Sequence, residues 1–289
     1  MSWLALINTL LVSSSLVGAA PTAPVDSDST SNFTALTAPP RAKPENYTLN
    51  QGSYRVMNQQ WDSEAIGGGE YTLYNNLFGS KDTGTSGSQE TQALSYDAQN
   101  AMISWTTKYQ WRGNPGNVKS YANVALNEGT RRKLTEIETI PTRWDWTYTH
   151  PGGSDKKTDP LVADVSYDLW LSRDPKSGTA SSSSTVEVMV WLSNRRAGPA
   201  GFRIATAKVG EINWELFKGR VGTWEVYSFV APSEMTNYSG DLKQFFTYLN
   251  ANEKVSSDQY LVAVQAGTEP FEGTGTLLTN GYTAAINPV

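Results

Sequence analysis

The 289-residue chain is 38% hydrophobic and 11% aromatic, which bounds it to one sizeable domain with a tail or two small domains, and the former is expected. Its net charge of -5, with no long like-charge run, leaves no basic stripe for nucleic acid or an anionic membrane. With no cysteine and a single histidine, His150, thiolate zinc sites, Cys-His nucleophiles and His-rich zinc centres are excluded, and carboxylate chemistry remains.

In chain order, Trp3 to Val17 is apolar and is followed by Gly18-Ala19-Ala20-Pro21. The stretch is too short and too interrupted by serine to span a bilayer, and the small residues suit signal-peptidase cleavage, so residues 1–20 read as a signal peptide and the protein as extracellular. No Lys or Arg precedes Arg41, so the positive end of that signal is the amino terminus alone. Residues 21–55 are rich in Ser, Thr and Pro without hydrophobic period and are expected to be disordered or extended. Asn32-Phe33-Thr34, Asn46-Tyr47-Thr48 and Asn237-Tyr238-Ser239 fit the N-glycosylation pattern.

From residue 56 to the end the chain reads as one all-β domain of short strands punctuated by Gly, Asn, Asp, Pro and Ser, a sandwich or barrel. Ile66-Gly67-Gly68-Gly69 has no Lys-Ser/Thr after it and reads as a turn, not a phosphate loop. Trp105, Thr107, Tyr109 and Trp111 share one strand face; flat rings beside polar groups suit sugar C–H faces, although for any single ring a core position is the commoner outcome. In Val162 to Ser172 the odd positions Ala163, Val165, Tyr167, Leu169 and Leu171 are apolar, while Asp164, Ser166, Asp168 and Trp170 alternate with them. Leu242, Phe245, Phe246 and Leu249 fall at helical spacing after Ser239-Gly240-Asp241 and predict one helix.

Two carboxylates stand out. In Thr185 to Leu192, Val186, Val188, Val190 and Leu192 make one apolar face, and Glu187 shares the other with Met189 and Trp191. A carboxylate there is costly to bury unless paired or used, but a solvated face of an edge strand explains the pattern equally well. Gln259 to Gly267 has Tyr260, Val262, Val264 and Ala266 on one side, so Glu269 leaves the sheet on the side of Gln265, held extended by Pro270. Spacing alone favours a polar turn residue at Glu269.

Tyr74-Asn75-Asn76-Leu77-Phe78-Gly79, Trp111 with Asn117-Val118-Lys119-Ser120-Tyr121, Val165 to Leu169, Val186 to Leu192, Tyr227-Ser228-Phe229-Val230, Ser239 to Leu242 and Gly267-Thr268-Glu269-Pro270-Phe271 occur in this order. Together they resemble glycoside hydrolase family 12, over roughly Trp61 to Asn287. The resemblance implies a concanavalin-like β-jelly roll of two antiparallel sheets with the helix on the convex side, and makes residues 56–289 a catalytic domain. It further implies a monomeric retaining endo-β-1,4-glucanase that needs no metal or organic cofactor and takes a β-glucan polysaccharide in an open cleft. Glu187 would be nucleophile, Glu269 acid/base and Asp168 the carboxyl that shares a proton with the nucleophile. Asn75, Phe78, Trp111, Met189 and Pro199 would line the cleft.

Two departures accompany the resemblance: Asn58 and Glu90 stand where the family commonly pairs two cysteines, and Phe78 where Trp is usual. Gln265-Ala266-Gly267 and Ala197 to Gly201 look more like xyloglucan-active members than those acting on unbranched or mixed-linkage glucan. A non-catalytic jelly roll that binds carbohydrate or interacts with a cell wall is the alternative reading.

Overall fold

The computed structural model describes residues 54–150, 161–179, 181 and 183–289. The expected signal peptide, the Ser/Thr/Pro-rich segment up to residue 53 and the sequons at Asn32 and Asn46 lie outside the described residues. Among those described, the strands are β1 (Ser63–Ile66), β2 (Tyr71–Tyr74), β3 (Ser86–Asp97), β4 (Met102–Arg112), β5 (Ala122–Leu126), β6 (Arg132–Lys133), β7 (Ile137–Thr139), β8 (Pro141–Thr149), β9 (Val162–Ser172), β10 (Ser184–Arg195), β11 (Phe202–Val209), β12 (Ile212–Val221), β13 (Trp224–Val230), β14 (Asn237–Asp241), β15 (Tyr260–Thr268), β16 (Pro270–Ala284) and β17 (Asn287–Pro288). One α-helix, α1 (Lys243–Glu253), lies between β14 and β15.

The first sheet runs β1-β2-β5-β15-β9-β10-β13-β12-β11. The second is β3-β4-β16-β8-β14. Strand β16 joins them, pairing with β9 at Pro270 and Glu272 and with β4 and β8 thereafter. Neighbours are antiparallel except β10 and β13, because the chain leaves β10, turns as a hairpin through β11 and β12 at the sheet's edge, and returns beside β10. The all-β jelly-roll sandwich expected from sequence is the fold, with this one parallel pair.

Between the sheets lies an apolar core. Val186, Val188, Val190 and Leu192 of β10 and Val165, Tyr167, Leu169 and Leu171 of β9 are all buried there, as the period-two patterns require. Trp105, Trp144 and Tyr282 meet them from the second sheet, with Trp144 edge-on to Tyr167 at 5.2 Å. Each such ring buries enough apolar surface to stabilise the fold by about 2–3 kcal/mol. The helix stripe Leu242, Phe245, Phe246 and Leu249 is buried in the same core. Asp241 Oδ1 accepts the Lys243 N–H at 3.0 Å at the helix start, and Phe245 packs on Trp214 and Phe229 at 5.2 and 4.9 Å. The helix therefore covers the core side of the first sheet, its expected place.

Two expectations are corrected. The face Trp105, Thr107, Tyr109, Trp111 is buried throughout, so it faces the opposing sheet and offers no platform for a sugar. Strand β15 carries a bulge between Leu261 and Ala263, which breaks the predicted alternation: Leu261, Val264 and Ala266 face the core, while Tyr260, Val262 and Ala263 pack around Trp170 on the other face.

Candidate active site

Strand β10 lies in the middle of the first sheet, so Glu187 is not on an edge strand. Its backbone register sets Glu187 beside Trp170 of β9 and Val226 of β13, and Met189 beside Asp168 and Ser228. Asp168 in turn pairs with Gln265 of β15. With Val186 and Val188 turned into the core, Glu187, Met189 and Trp191 share the outer face with Asp164, Ser166, Asp168 and Trp170. Met189, Trp191, Val226, Val230 and Phe271 pack into a small apolar cluster there, which excludes water from one side of the carboxyls.

Glu269 is the corner residue between β15 and β16, where the chain passes from one sheet to the other. Its backbone is fixed: Asp164 N–H donates to the Glu269 carbonyl at 3.2 Å, and the Glu269 N–H donates to Asp164 Oδ1 at 3.3 Å. Thr268 Oγ1 donates to the Asp164 carbonyl at 2.5 Å. Gly267 lets β15 lie tightly against β5, since a Cβ there would come within 2.1 Å of the Ala122 carbonyl oxygen. Glu269 is thus locked into the outer face and is not a free turn residue.

Four carboxyls gather on this face, Glu187, Asp168, Asp164 and Glu269, and the first three each accept from a donor of their own. Trp224 Nε1 donates to Glu187 Oε2 at 2.7 Å. Trp170 Nε1 donates to Asp168 Oδ2 at 2.8 Å. Ser166 Oγ donates to Asp164 Oδ1 at 3.0 Å. Burial raises all four titrations. Glu187 is pushed up to about 7 by burial, drawn down by the Trp224 N–H and raised again by the charge of Asp164. Asp164, fully buried, also goes to about 7 through burial, restrained by hydrogen bonds from Glu269 and Ser166. Asp168 is raised well above the ordinary carboxylate range by burial and by Glu187. Glu269 is likewise raised, by burial, by the charges of Asp164, Glu187 and Asp168, and by its own hydrogen bond to Asp164. Burial and mutual repulsion thus favour the protonated form of each acid, with the indole N–H of Trp224 favouring ionisation of Glu187 and the crowding by three acids opposing it at Glu269.

The other residues expected in the cleft divide. Phe78 is 47% exposed, Pro199 is half-exposed in the loop between β10 and β11, and Met189 lies beside Glu187 on the outer face. Asn75 and Trp111 do not line it. Asn75 is buried, with its amide bound to the Gln59 carbonyl at 3.0 Å and its oxygen taken by Thr91 and Gln89. Trp111 is buried with Leu77, Tyr109, Leu161 and Ala163. Both hold the N-terminal strands together, which is why a polar and an aromatic residue occur there without facing solvent. Sequence reasoning did not single out Asp164, Trp170 or Trp224. The signal for the first two was present, since Asp164 and Trp170 share the parity of Asp168 on β9.

Coupled carboxyls on the open face of a jelly-roll sheet define a protein of the glycoside hydrolase class. The model of glycosyl hydrolase family 12 matches residues 69–287. The xyloglucan-specific endo-β-1,4-glucanase A of Aspergillus aculeatus is 45% identical over 224 residues, covering 76% of this chain and 86% of that protein. Over the same length an inactive glycoside hydrolase of Phytophthora nicotianae is 42% identical, covering 76% and 87%. The crystal structure of Trichoderma harzianum endoglucanase 3 superposes with a TM-score of 0.72 at 37% identity, covering 82% of this chain and 99% of that one. The chain belongs to glycosyl hydrolase family 12, as its sequence blocks led us to expect, and is a hydrolase of the endoglucanase type.

Proposed function

We propose that the protein is a secreted, monomeric endo-β-1,4-glucanase that cleaves internal bonds of xyloglucan with retention of configuration. The observation that carries this reading is that Glu187 and Glu269 gather on one face of the sheet with different partners. Glu269, crowded by three other acids and hydrogen-bonded to Asp164, holds a proton to give. Glu187, whose Oε2 accepts an indole N–H, is the one that ionises first. Glu187 then attacks the anomeric carbon as the glycosidic C–O bond breaks, and the proton of Glu269 passes to the leaving oxygen. Water, deprotonated by Glu269, releases the sugar from Glu187 with its original configuration. Asp168, beside Glu187 and sharing a proton with it, steadies the carboxylate of the nucleophile before it attacks and again when water releases the sugar. The preference for xyloglucan rests on the names of the Aspergillus relatives and on the Gln265-Ala266-Gly267 and Ala197 to Gly201 segments. Export rests on the signal-like residues 1–20, and no described helix is long and apolar enough to cross a membrane.

The test is reducing-end release from xyloglucan, carboxymethyl cellulose and barley β-glucan by wild type and Glu187→Gln, with proton NMR of the first product anomer. Expected are fastest release from xyloglucan, a β-anomer product, and loss of at least about a thousandfold in the variant. Release from none of the three with polymer binding intact would establish instead the non-catalytic wall-binding reading, a real outcome in a family that includes the inactive Phytophthora relative.

A further inference from the structure

Glu187 and Asp168 are each held by a tryptophan, and the two tryptophans touch. Trp170 lies on β9, directly beside Glu187 in the register. Trp224 opens β13, two residues before Val226, which flanks Glu187 from the other side. Strand β10 separates the two, yet their ring centroids are 5.2 Å apart with planes at 63°, so the indoles meet across β10 on its outer face. Each sends its Nε1–H to a different acid, Trp224 to Glu187 Oε2 at 2.7 Å and Trp170 to Asp168 Oδ2 at 2.8 Å. Gly222, at φ 54°, makes the tight turn that returns the chain from Val221 to Trp224, which fixes where the second indole starts.

We propose that Trp224 and Trp170 form a positioning pair that orients the nucleophile: Trp224 occupies Oε2 of Glu187 and leaves Oε1 as the oxygen that bonds to the anomeric carbon, while Trp170 holds Asp168 and, through the ring contact, braces Trp224. This inference rests on the assignment of Glu187 as nucleophile. An indole suits the task because it donates and cannot accept. It presents the same N–H to the carboxylate at every pH, where a hydroxyl could turn away and a histidine could titrate. The edge-to-face contact adds rigidity, since tilting either ring would open both the ring contact and a hydrogen bond. The same N–H favours the ionised form of Glu187 and so widens the pH range over which the nucleophile is charged. Trp170 is buried, and Trp224 is only partly so. Of the two, Trp224 is therefore the position where a phenyl ring can replace the indole with least disturbance.

The experiment is covalent labelling by an activated 2-deoxy-2-fluoro-β-cellobioside, followed across pH, for wild type, Trp224→Phe and Trp170→Phe, with the labelled residue located by mass spectrometry. Phenylalanine keeps a ring and removes the N–H. In Trp224→Phe the limiting labelling rate is expected to fall at least about tenfold, the size of one hydrogen bond to a charged group. The half-saturating concentration should stay within about twofold, and the acidic limb of the rate should move to higher pH. Trp170→Phe should give a smaller loss in the same direction. Label on Glu187 with an unchanged rate and limb in Trp224→Phe overturns the proposal, as does a change confined to the half-saturating concentration, which would make Trp224 a sugar platform. Label on another residue in wild type overturns the nucleophile assignment itself, and the proposal with it. Melting temperatures of both variants close to wild type confirm that rate changes are not losses of folded protein.

Discussion

Asp164 and Glu269 grip each other through the backbone and meet again through their carboxyls. The Asp164 N–H binds the Glu269 carbonyl at 3.2 Å, and the Glu269 N–H binds Asp164 Oδ1 at 3.3 Å. Asp164 Oδ2 is buried and receives no donor from an amide, hydroxyl or ring nitrogen. An unmet buried acceptor costs about 1–3 kcal/mol, and the Glu269 carboxyl hydrogen-bonds to Asp164. The charge of Asp164 and its hydrogen bond favour the protonated form of Glu269, a consequence of one extra carboxyl two residues before Ser166.

Replacing Asp164 by Asn should lower the titration midpoint of Glu269. Both the negative charge and the charge-assisted hydrogen bond that raise it are lost, and the shift should be about one pH unit or more. Carbon-13 NMR of selectively labelled glutamate carboxyls measures this directly, without passing through turnover. An unmoved midpoint in a folded variant would show that Asp164 only shapes the corner.

The crowded acids make stability fall as pH rises. Glu187 and Asp164 titrate at about 7 in the folded protein, against roughly 4 when unfolded. Raised carboxyls stabilise fully below the unfolded value and lose that contribution as pH climbs from about 4 through about 7. Glu187→Gln removes one such group. The variant should match wild type in melting temperature at pH 4 and exceed it at pH 8, where a shift of about three units is worth up to about 4 kcal/mol and so up to about 8–16 °C. Scanning calorimetry at the two pH values checks the sign, and a variant no more stable than wild type at pH 8 would refute the burial cost.

How much of this was legible beforehand follows from what a periodic pattern encodes. The alternation in β9 and β10 gave the faces of both strands, and the spacing of Leu242 to Leu249 gave the helix, because each is a local property of a few consecutive residues. Which strand face meets the core is settled by the opposing sheet, so Trp111 and Asn75 looked like cleft residues and are buried. The bulge at Leu261 to Ala263 shifts side chains without a marker such as Gly or Pro at the spot. Trp224 was least legible of all: it reaches Glu187 through a parallel pairing of β10 with β13, made by strands 37 residues apart at that hydrogen bond, and nothing local in either segment announces it.

Phe78, 47% exposed, is the surface ring expected to stack on a sugar, and its contribution should be to binding alone. Phe78→Ala should raise KM about fivefold with kcat within about twofold, and Phe78→Trp should lower KM by restoring stacking area. Steady-state kinetics on xyloglucan oligosaccharides decide it. A fall in kcat for Phe78→Ala would instead mean that the ring's contact strengthens in the transition state.

The N-terminal strand lacks a covalent staple, and its geometry shows where one belongs. Met57 and Thr91 form an antiparallel bridge with both hydrogen bonds made, Met57 N–H to the Thr91 carbonyl at 2.9 Å and Thr91 N–H to the Met57 carbonyl at 3.0 Å. The next pair, Asn58 and Glu90, is then a non-hydrogen-bonded one, where opposing Cα atoms approach about 4.5 Å. That lies within the span a disulfide accepts, about 4.4–6.8 Å. Both residues also line one surface cavity of about 370 Å³, so no packed side chain has to be displaced. The double variant Asn58→Cys, Glu90→Cys should oxidise in air, and closing the chain from 58 to 90 should stabilise the fold by about 3 kcal/mol. Its melting temperature should exceed that of its own reduced form by roughly 6–12 °C. Since the bridge holds the base of the segment that carries Phe78, KM should stay within about twofold on oxidation; a large change would mean that activity requires this strand to move.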